Sequence, residues 1–135
     1  MQGWRVSMED AHCHILSLSP EDPDAAYVVL KKVFFSLISE LLVRYYGVFD
    51  GHGGAKVAAF SANNLHRYIV RRSEYKEGDV EEALRQGFME CDRAMRTEES
   101  LKDEMAGCTA VVVMTKGKEL WCANAGDSRC IAGVV

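Results

Sequence analysis

The chain has 135 residues of which 48% are hydrophobic, which suits one globular domain and is too apolar for a disordered segment. Its 16 lysine and arginine residues against 20 aspartate and glutamate residues leave a net charge of −4. The basic residues are scattered apart from Arg71-Arg72, so no basic stripe is available to neutralise a nucleic-acid backbone, and nucleic acid is not an expected partner.

The 5 cysteines form an odd set without C-x-x-C spacing, which fits reduced thiols. The N-terminus is polar and carries no signal-peptide pattern. The longest apolar stretch, Val33 to Val43, contains Ser36, Ser39 and Glu40 and falls short of the roughly 20 residues that span a bilayer. The expectation is a cytoplasmic or nuclear protein with no membrane span.

In chain order, Ala11 to Leu18 reads as a first strand, stopped by the turn-forming Ser19-Pro20-Glu21-Asp22-Pro23-Asp24 cluster. On that strand His12 and His14 share one face while Cys13 points the other way, which makes a poor tetrahedral zinc set and a good polar edge. Between about Val28 and Arg44, Phe34, Leu37, Leu41 and Tyr45 fall at helical spacing, although Val33, Ile38 and Leu42 spoil the polar face; a helix is expected there. Tyr45 to Phe49 reads as a buried strand.

That strand ends in Asp50-Gly51-His52-Gly53-Gly54, a strand-to-helix junction with almost no side-chain cover. Glycine lets a carbonyl turn toward a cation and permits positive φ, so the junction suits a metal or a phosphate; the same residues also make an ordinary Asp-Gly turn. Beyond it, Ala58, Ala62, Leu65 and Ile69 recur at the spacing of a helix with one buried stripe. A second helix is expected to start at Asp79 as N-cap with Glu82 three residues on, and to bury Val80, Leu84, Phe88, Cys91 and Met95. Cys91 and the methionines then read as core fillers.

The last third changes period. Cys108 to Thr115 is strongly β-prone, Lys116-Gly117 makes a turn, Leu120 to Ala125 returns, and Ser128 to Ala132 is expected to begin a further strand after Gly126-Asp127. Strand, helix, helix and then hairpin-linked strands give an α+β fold with antiparallel sheets. No internal repeat or low-complexity segment is present.

Polar residues that a core would not want gather in four places. Arg5 offers a planar fork for a phosphate, and Glu9-Asp10 offer paired carboxylates for a hard divalent cation. Asp50 and His52 are the second place, Thr109 after Gly107 the third, and Asp127 between Gly126 and Ser128-Arg129 the fourth. Taken singly, an acidic pair is usually a solvated surface and Gly-Asp-Ser usually a turn.

Together, Met1-Gln2-Gly3-Trp4-Arg5-Val6-Ser7-Met8-Glu9-Asp10-Ala11-His12, Gly47-Val48-Phe49-Asp50-Gly51-His52-Gly53-Gly54, Ala106-Gly107-Cys108-Thr109-Ala110 and Ala123-Asn124-Ala125-Gly126-Asp127-Ser128-Arg129 resemble, in order, the signatures of the metal-dependent PP2C-type (PPM) serine/threonine protein phosphatases. The resemblance implies two Mn²⁺ or Mg²⁺ ions, with a third and weaker site. Asp50 would bridge the two ions, the Gly51 carbonyl would be a further ligand, Glu9 and Asp10 would hold metal or its water, and Asp127 would belong to the weaker site. Arg5 would bind the substrate phosphate, and His52 would be the general acid for the leaving seryl or threonyl oxygen. The implied reaction is hydrolysis of phosphoseryl and phosphothreonyl esters in phosphoprotein substrates by a water that bridges the metals. The implied fold is a PP2C-like antiparallel β-sandwich flanked by helices in α-β-β-α layers.

The resemblance runs through residues 1–135 and covers about the first half of the family's catalytic domain. The later aspartates of the family then have no counterpart here, and about 28–44 is an insertion between two motifs that the family usually joins by a short turn. A half-sandwich would leave sheet surface and edges open to association with another chain and would be marginally stable alone. A second expectation follows, a catalytically inactive half-domain that binds phosphopeptides or partners. A third makes Val28 to Arg44 a helix lying on a membrane surface.

Overall fold

Burial alternates residue by residue along the chain's central strand, and that alternation fixes which way the sheet faces. A computed structural model describes residues 8–16, 18–19 and 42–133. Its strands are β1 (Ala11–Ile15), β2 (Val43–Phe49), β3 (Gly51–His52), β4 (Gly107–Cys108), β5 (Ala110–Lys116) and β6 (Glu119–Ala125). Its helices are α1 (Lys56–Val70), α2 (Ser73–Glu77) and α3 (Val80–Thr97), followed by a short 3₁₀ turn at Glu99–Leu101. The main sheet is antiparallel throughout in the order β1-β2-β5-β6, and β3 pairs with β4 as a short ribbon.

On β2, Tyr45, Gly47 and Phe49 are buried while Tyr46 and Val48 are exposed. The buried set points at the helices, as period-two geometry requires. Tyr45 and Phe49 lean toward each other over Gly47, where an added Cβ would lie 2.9 Å from the Phe49 ring. With Ile15, Val112 and Met114 they meet the expected stripe of α1 (Ala58, Ala62, Leu65, Ile69) and Val80, Ala83, Leu84 and Cys91 of α3. α1 and α3 pack tightly at Gly87, where a Cβ would stand 2.5 Å from Ile69 Cγ1. Inside this core the His66 ring tilts against Tyr45 at 5.8 Å between centroids. Burial pushes the Tyr45 phenol well above its ordinary value.

Both long helices form where the apolar stripes lie. Asp79 caps α3 as expected, its Oδ1 accepting the Glu82 N–H at 3.1 Å. The Glu82 carboxylate turns instead to Arg85 and Gln86. Ile15, by contrast, is the last residue of β1, whereas the strand was expected to reach Leu18; the Leu18 N–H still donates to the Val43 carbonyl at 2.8 Å.

Three expectations are corrected. The helix across Val28 to Arg44 does not extend to its C-terminal end, because Val43 and Arg44 pair with Lys116 and Thr115 as the start of β2; positions 28–41 lie outside the described residues, as does the turn at 20–24. The expected third strand at Ser128 to Ala132 is irregular in the structure, since no partner strand for it stands among the described residues. Cys108 to Thr115 is also not one strand: it breaks at Thr109, with Gly107–Cys108 bonded to β3. The short helix α2 was not anticipated.

The outer face of the sheet carries cross-strand rows His12–Val48–Val111–Asn124 and His14–Tyr46–Val113–Cys122. Val48 is 52% exposed and Leu120 58% exposed, so among the described residues this face is uncovered. The fold class is α+β as expected, with one sheet and its helix layer of the α-β-β-α arrangement.

Candidate functional site

Strand register is what gathers motifs that lie far apart in the chain. β1 pairs with β2 from Ala11↔Phe49, so one and two further steps set Asp10 opposite Asp50 and Glu9 opposite Gly51. The second step is confirmed by contact: a side chain at Gly51 would run into the Glu9 carbonyl oxygen. β2 and β5 meet at Val48↔Val111, and the ribbon pair Gly51↔Cys108 keeps the same offset, which sets Asp50 opposite Thr109. The Thr109 N–H donates to the Asp50 carbonyl at 2.9 Å across that gap. β5 and β6 meet at Ala110↔Ala125, so Thr109 falls opposite Gly126. An added Cβ at Gly126 would lie 2.8 Å from Thr109 Cγ2.

One row at the end of the sheet therefore reads Asp10, Asp50, Thr109, Gly126, and the next reads Glu9, Gly51, Cys108, Asp127. Directly opposed residues on antiparallel strands share a face with Cβ atoms about 5 Å apart. Asp10 and Asp50 are both exposed, and alternation puts both on the outer face. Glu9, one residue away, is half-buried, and Asp127 is exposed on the turn after β6.

His52 is exposed and crosses Gly107, and a Cβ at Gly107 would stand 2.6 Å from its Nε2. Glycine at 107 is thus what lets the imidazole lie flat over the ribbon. Gly53 turns the chain at φ 74°, a left-handed conformation that side chains resist, and α1 begins three residues on. The Ala55 position supplies no side-chain cap, so the first N–H groups of α1 have no capping side chain at the end nearest His52. Lys56 bridges to Glu104 at 2.8 Å and ties that helix end to the loop that leads into Gly107.

Behind the ribbon the chemistry is quieter. Cys108 faces α1, with its sulfur 3.3 Å from Ser61 Oγ, and Ser61 Oγ donates to the Val57 carbonyl at 2.9 Å. Burial raises the Cys108 thiol, partly offset by Ser61, and pushes the Cys91 thiol up to about 12. These thiols are packing groups, as expected of Cys91. The Thr109 and Ser128 hydroxyls bond to each other at 2.5 Å and pin the Gly126-Asp127 turn against the Asp50 row. Sequence reasoning singled out Thr109 but gave Ser128 no role; the signal was its place beside Asp127.

The structure brings Asp10, Asp50, Gly51, His52 and Asp127 to one end of the sheet with Glu9 alongside. Arg5 lies outside the described residues. Among the described residues no three His, Cys, Asp or Glu side chains converge into a cage for a metal ion. The donor set is then a carboxylate pair with nearby backbone carbonyls: hard oxygens that suit Mg²⁺ or Mn²⁺ in kind and fall short of six ligands in number. His12 and His14 point away from Cys13 on β1, which agrees with the poor zinc set read from their spacing.

The family model for protein phosphatase 2C matches residues 1–133. A "probable protein phosphatase 2C" of Caenorhabditis elegans is 46% identical over 135 residues, all of this chain and 33% of that protein. A "protein phosphatase 2C homolog 2" of Aspergillus fumigatus is 41% identical over 99% of this chain and 30% of its own length. Among solved structures, a C. elegans sex-determining protein shares the fold with a TM-score of 0.62 at 21% identity, over 84% of this chain and 25% of that one. The chain spans about a third of the length of these curated relatives. On a match that takes in all four motifs and nearly every residue, the chain belongs to the protein phosphatase 2C family.

Proposed function

We propose that this chain supplies part of the site of a metal-dependent serine/threonine phosphatase, one that hydrolyses phosphoseryl and phosphothreonyl esters in phosphoproteins. One observation carries the reading. Sheet register sets Asp10 opposite Asp50 and ties Asp50 through Thr109 to the Gly126-Asp127 turn.

Asp10 and Asp50 would hold divalent cations, Mn²⁺ or Mg²⁺, with the Gly51 carbonyl and Glu9 as further oxygen donors and Asp127 at an outlying cation. Such ions, when bound, supply positive charge to the phosphoryl oxygens and acidify water. The residues themselves do the rest. Arg5 orients the phosphate through its fork of N–H donors. His52, held flat over Gly107, gives a proton to the leaving seryl or threonyl oxygen. Thr109 fixes the Asp50 backbone, so the carboxylate does not need to be ordered when substrate arrives.

Hydrolysis of a phosphothreonyl peptide with and without EDTA tests the proposal. Turnover should stop with the chelator, return with Mn²⁺, and vanish in Asp50→Ala. An Asp50→Ala protein of full activity would end it. A second reading is a non-catalytic module that binds phosphopeptides or partners. Phosphopeptide binding that is saturable yet accompanied by no turnover at any Mn²⁺ concentration would select it.

A further inference from the structure

An open edge of the main sheet runs alongside an apolar groove. β6 is the last strand in the order β1-β2-β5-β6, and among the described residues it pairs only with β5. Antiparallel pairing turns the N–H and C=O groups of alternate β6 residues away from β5. Among the described residues none of those groups meets another backbone group. Sheet edges are commonly shielded by a lysine, a proline or a bulge. β6 has neither residue, and its register with β5 runs unbroken from Lys116↔Glu119 to Ala110↔Ala125.

Between that edge and α3 lies a groove of about 630 Å³. Leu84, Phe88 and Met89 of α3 line one side, and Trp121 and Ala123 of β6 line the other. Met89 is 48% exposed and makes an adaptable apolar lip. Two charged residues also border the groove. Arg85 is already matched, its Nε donating to Glu82 at 2.8 Å. Glu81 is exposed and has no ion-pair partner among the described residues.

We propose that the β6 edge and this groove together bind an extended peptide segment of another protein, with apolar residues at alternate positions and a basic residue beside them. The segment adds to the four-stranded sheet as a further strand, its main chain bonding the open groups of β6. Every second side chain then faces the helices, on the side where Trp121 and Ala123 pack against the core, and enters the groove. Aliphatic or aromatic residues suit those positions. A lysine or arginine in the same row meets Glu81, the unmatched charge at the rim. A second copy of the chain is the poorer occupant, because it brings a net charge of −4 and another Glu81 to the same place. The inference uses only the sheet edge and the groove, so it stands whether or not the phosphatase reading holds.

The probe is a synthetic peptide, acetyl-Lys-Thr-Val-Thr-Phe-Thr-Val-Thr-Lys-amide, which sets lysine, valine and phenylalanine on one face and reads the same in either direction. Its binding is followed in the amide spectrum of the isotope-labelled chain. Saturable shifts are expected along β6 and at Leu84 to Met89. N-methylation of one alternating set of peptide amides should weaken binding many-fold, while the other set should leave it nearly unchanged, since only one set faces β6. Glutamate in place of both lysines should weaken binding several-fold, and Glu81→Gln, a surface change on α3, should remove the difference between the two peptides. The proposal is overturned if no peptide saturates at millimolar concentration, if the two methylated sets bind alike, or if the shifts fall away from β6 and the groove. It is overturned equally if the chain sediments as a dimer whose β6 amides are already protected before peptide is added, because a second copy then holds the edge.

Discussion

Gly51 lies directly beneath the Glu9 backbone, so close that the smallest side chain would strike the Glu9 carbonyl oxygen. The contact sits where the acidic motif and the Asp-Gly-His motif cross, one step from the row that sets Asp10 opposite Asp50. Backbone, not a flexible side chain, blocks the space. Gly51→Ala should therefore force the end of β1 away from β2, at a cost on the order of 1–3 kcal/mol. A urea denaturation midpoint equal to that of the parent would show that the two segments part freely.

Asp10 and Asp50 face each other across two strands, with their carboxylates on the same face. If both serve one cation, removing either should weaken binding, and removing both should cost less than the two separate losses together. The coupling expected for residues that share a ligand is about 0.5–3 kcal/mol. Calorimetric Mn²⁺ titration of Asp10→Asn, Asp50→Asn and the double variant measures it. Strictly additive losses would place the two carboxylates at separate ions.

The uncovered outer sheet face predicts behaviour in solution. Val48 and Leu120 are large, apolar and more than half exposed, and Tyr46 is 41% exposed beside them. Contiguous apolar surface of this kind promotes association. Val48→Lys with Leu120→Lys should lower the binding of a hydrophobic dye and shift the chain toward monomer in sedimentation, with the far-ultraviolet spectrum unchanged. The opposite strand face is buried under the helices, so these positions can be charged without entering the core. Unaltered sedimentation in the double variant would show that another surface drives association.

Much of this architecture was legible because it is local. The stripe Ala58, Ala62, Leu65, Ile69 and the Asp79 cap each repeat a physical rule within a few residues, and both helices form as read. What failed was decided at a distance. Val43 and Arg44 have the apolar density of a helix end, yet they form strand because Lys116 and Thr115 offer ladder partners. Ser128 to Ala132 has strand-forming residues and no partner among the described residues. Helix α2 has five residues and sets only Tyr75 against the core, too little for an apolar stripe to announce it; its one mark is Gly78, whose φ of 91° closes it in the left-handed conformation. For the site, residue types were readable and their meeting was not. Nothing in the spacing of Asp10, Asp50, Thr109 and Gly126 states that one register row crosses all four.

Acid sensitivity should show at the joint between α1 and α3. Arg72 bonds Glu74 at 2.9 Å and reaches Glu90 on α3 at 3.2 Å, which ties the connecting turn to the long helix. The Arg72 guanidinium, aided by a backbone hydrogen bond, holds the Glu74 carboxyl down at about 2 from an ordinary value of 4.5. A carboxylate more acidic in the folded state stabilises above its unfolded value and loses that contribution as pH falls through the folded one. The stabilisation from Glu74 should therefore be complete at neutral pH and fade between about pH 4.5 and pH 2. Glu82, held at about 2 by Arg85, fades over the same window, so the parent's acid profile alone does not isolate Glu74. The difference between the parent and Glu74→Gln does. That variant should melt at a lower temperature at pH 7, by the small margin usual for a solvent-accessible pair, and the gap should close as the pH is lowered toward 2. A gap that stays constant across the whole range would mean that Glu74 contributes through packing rather than through its charge.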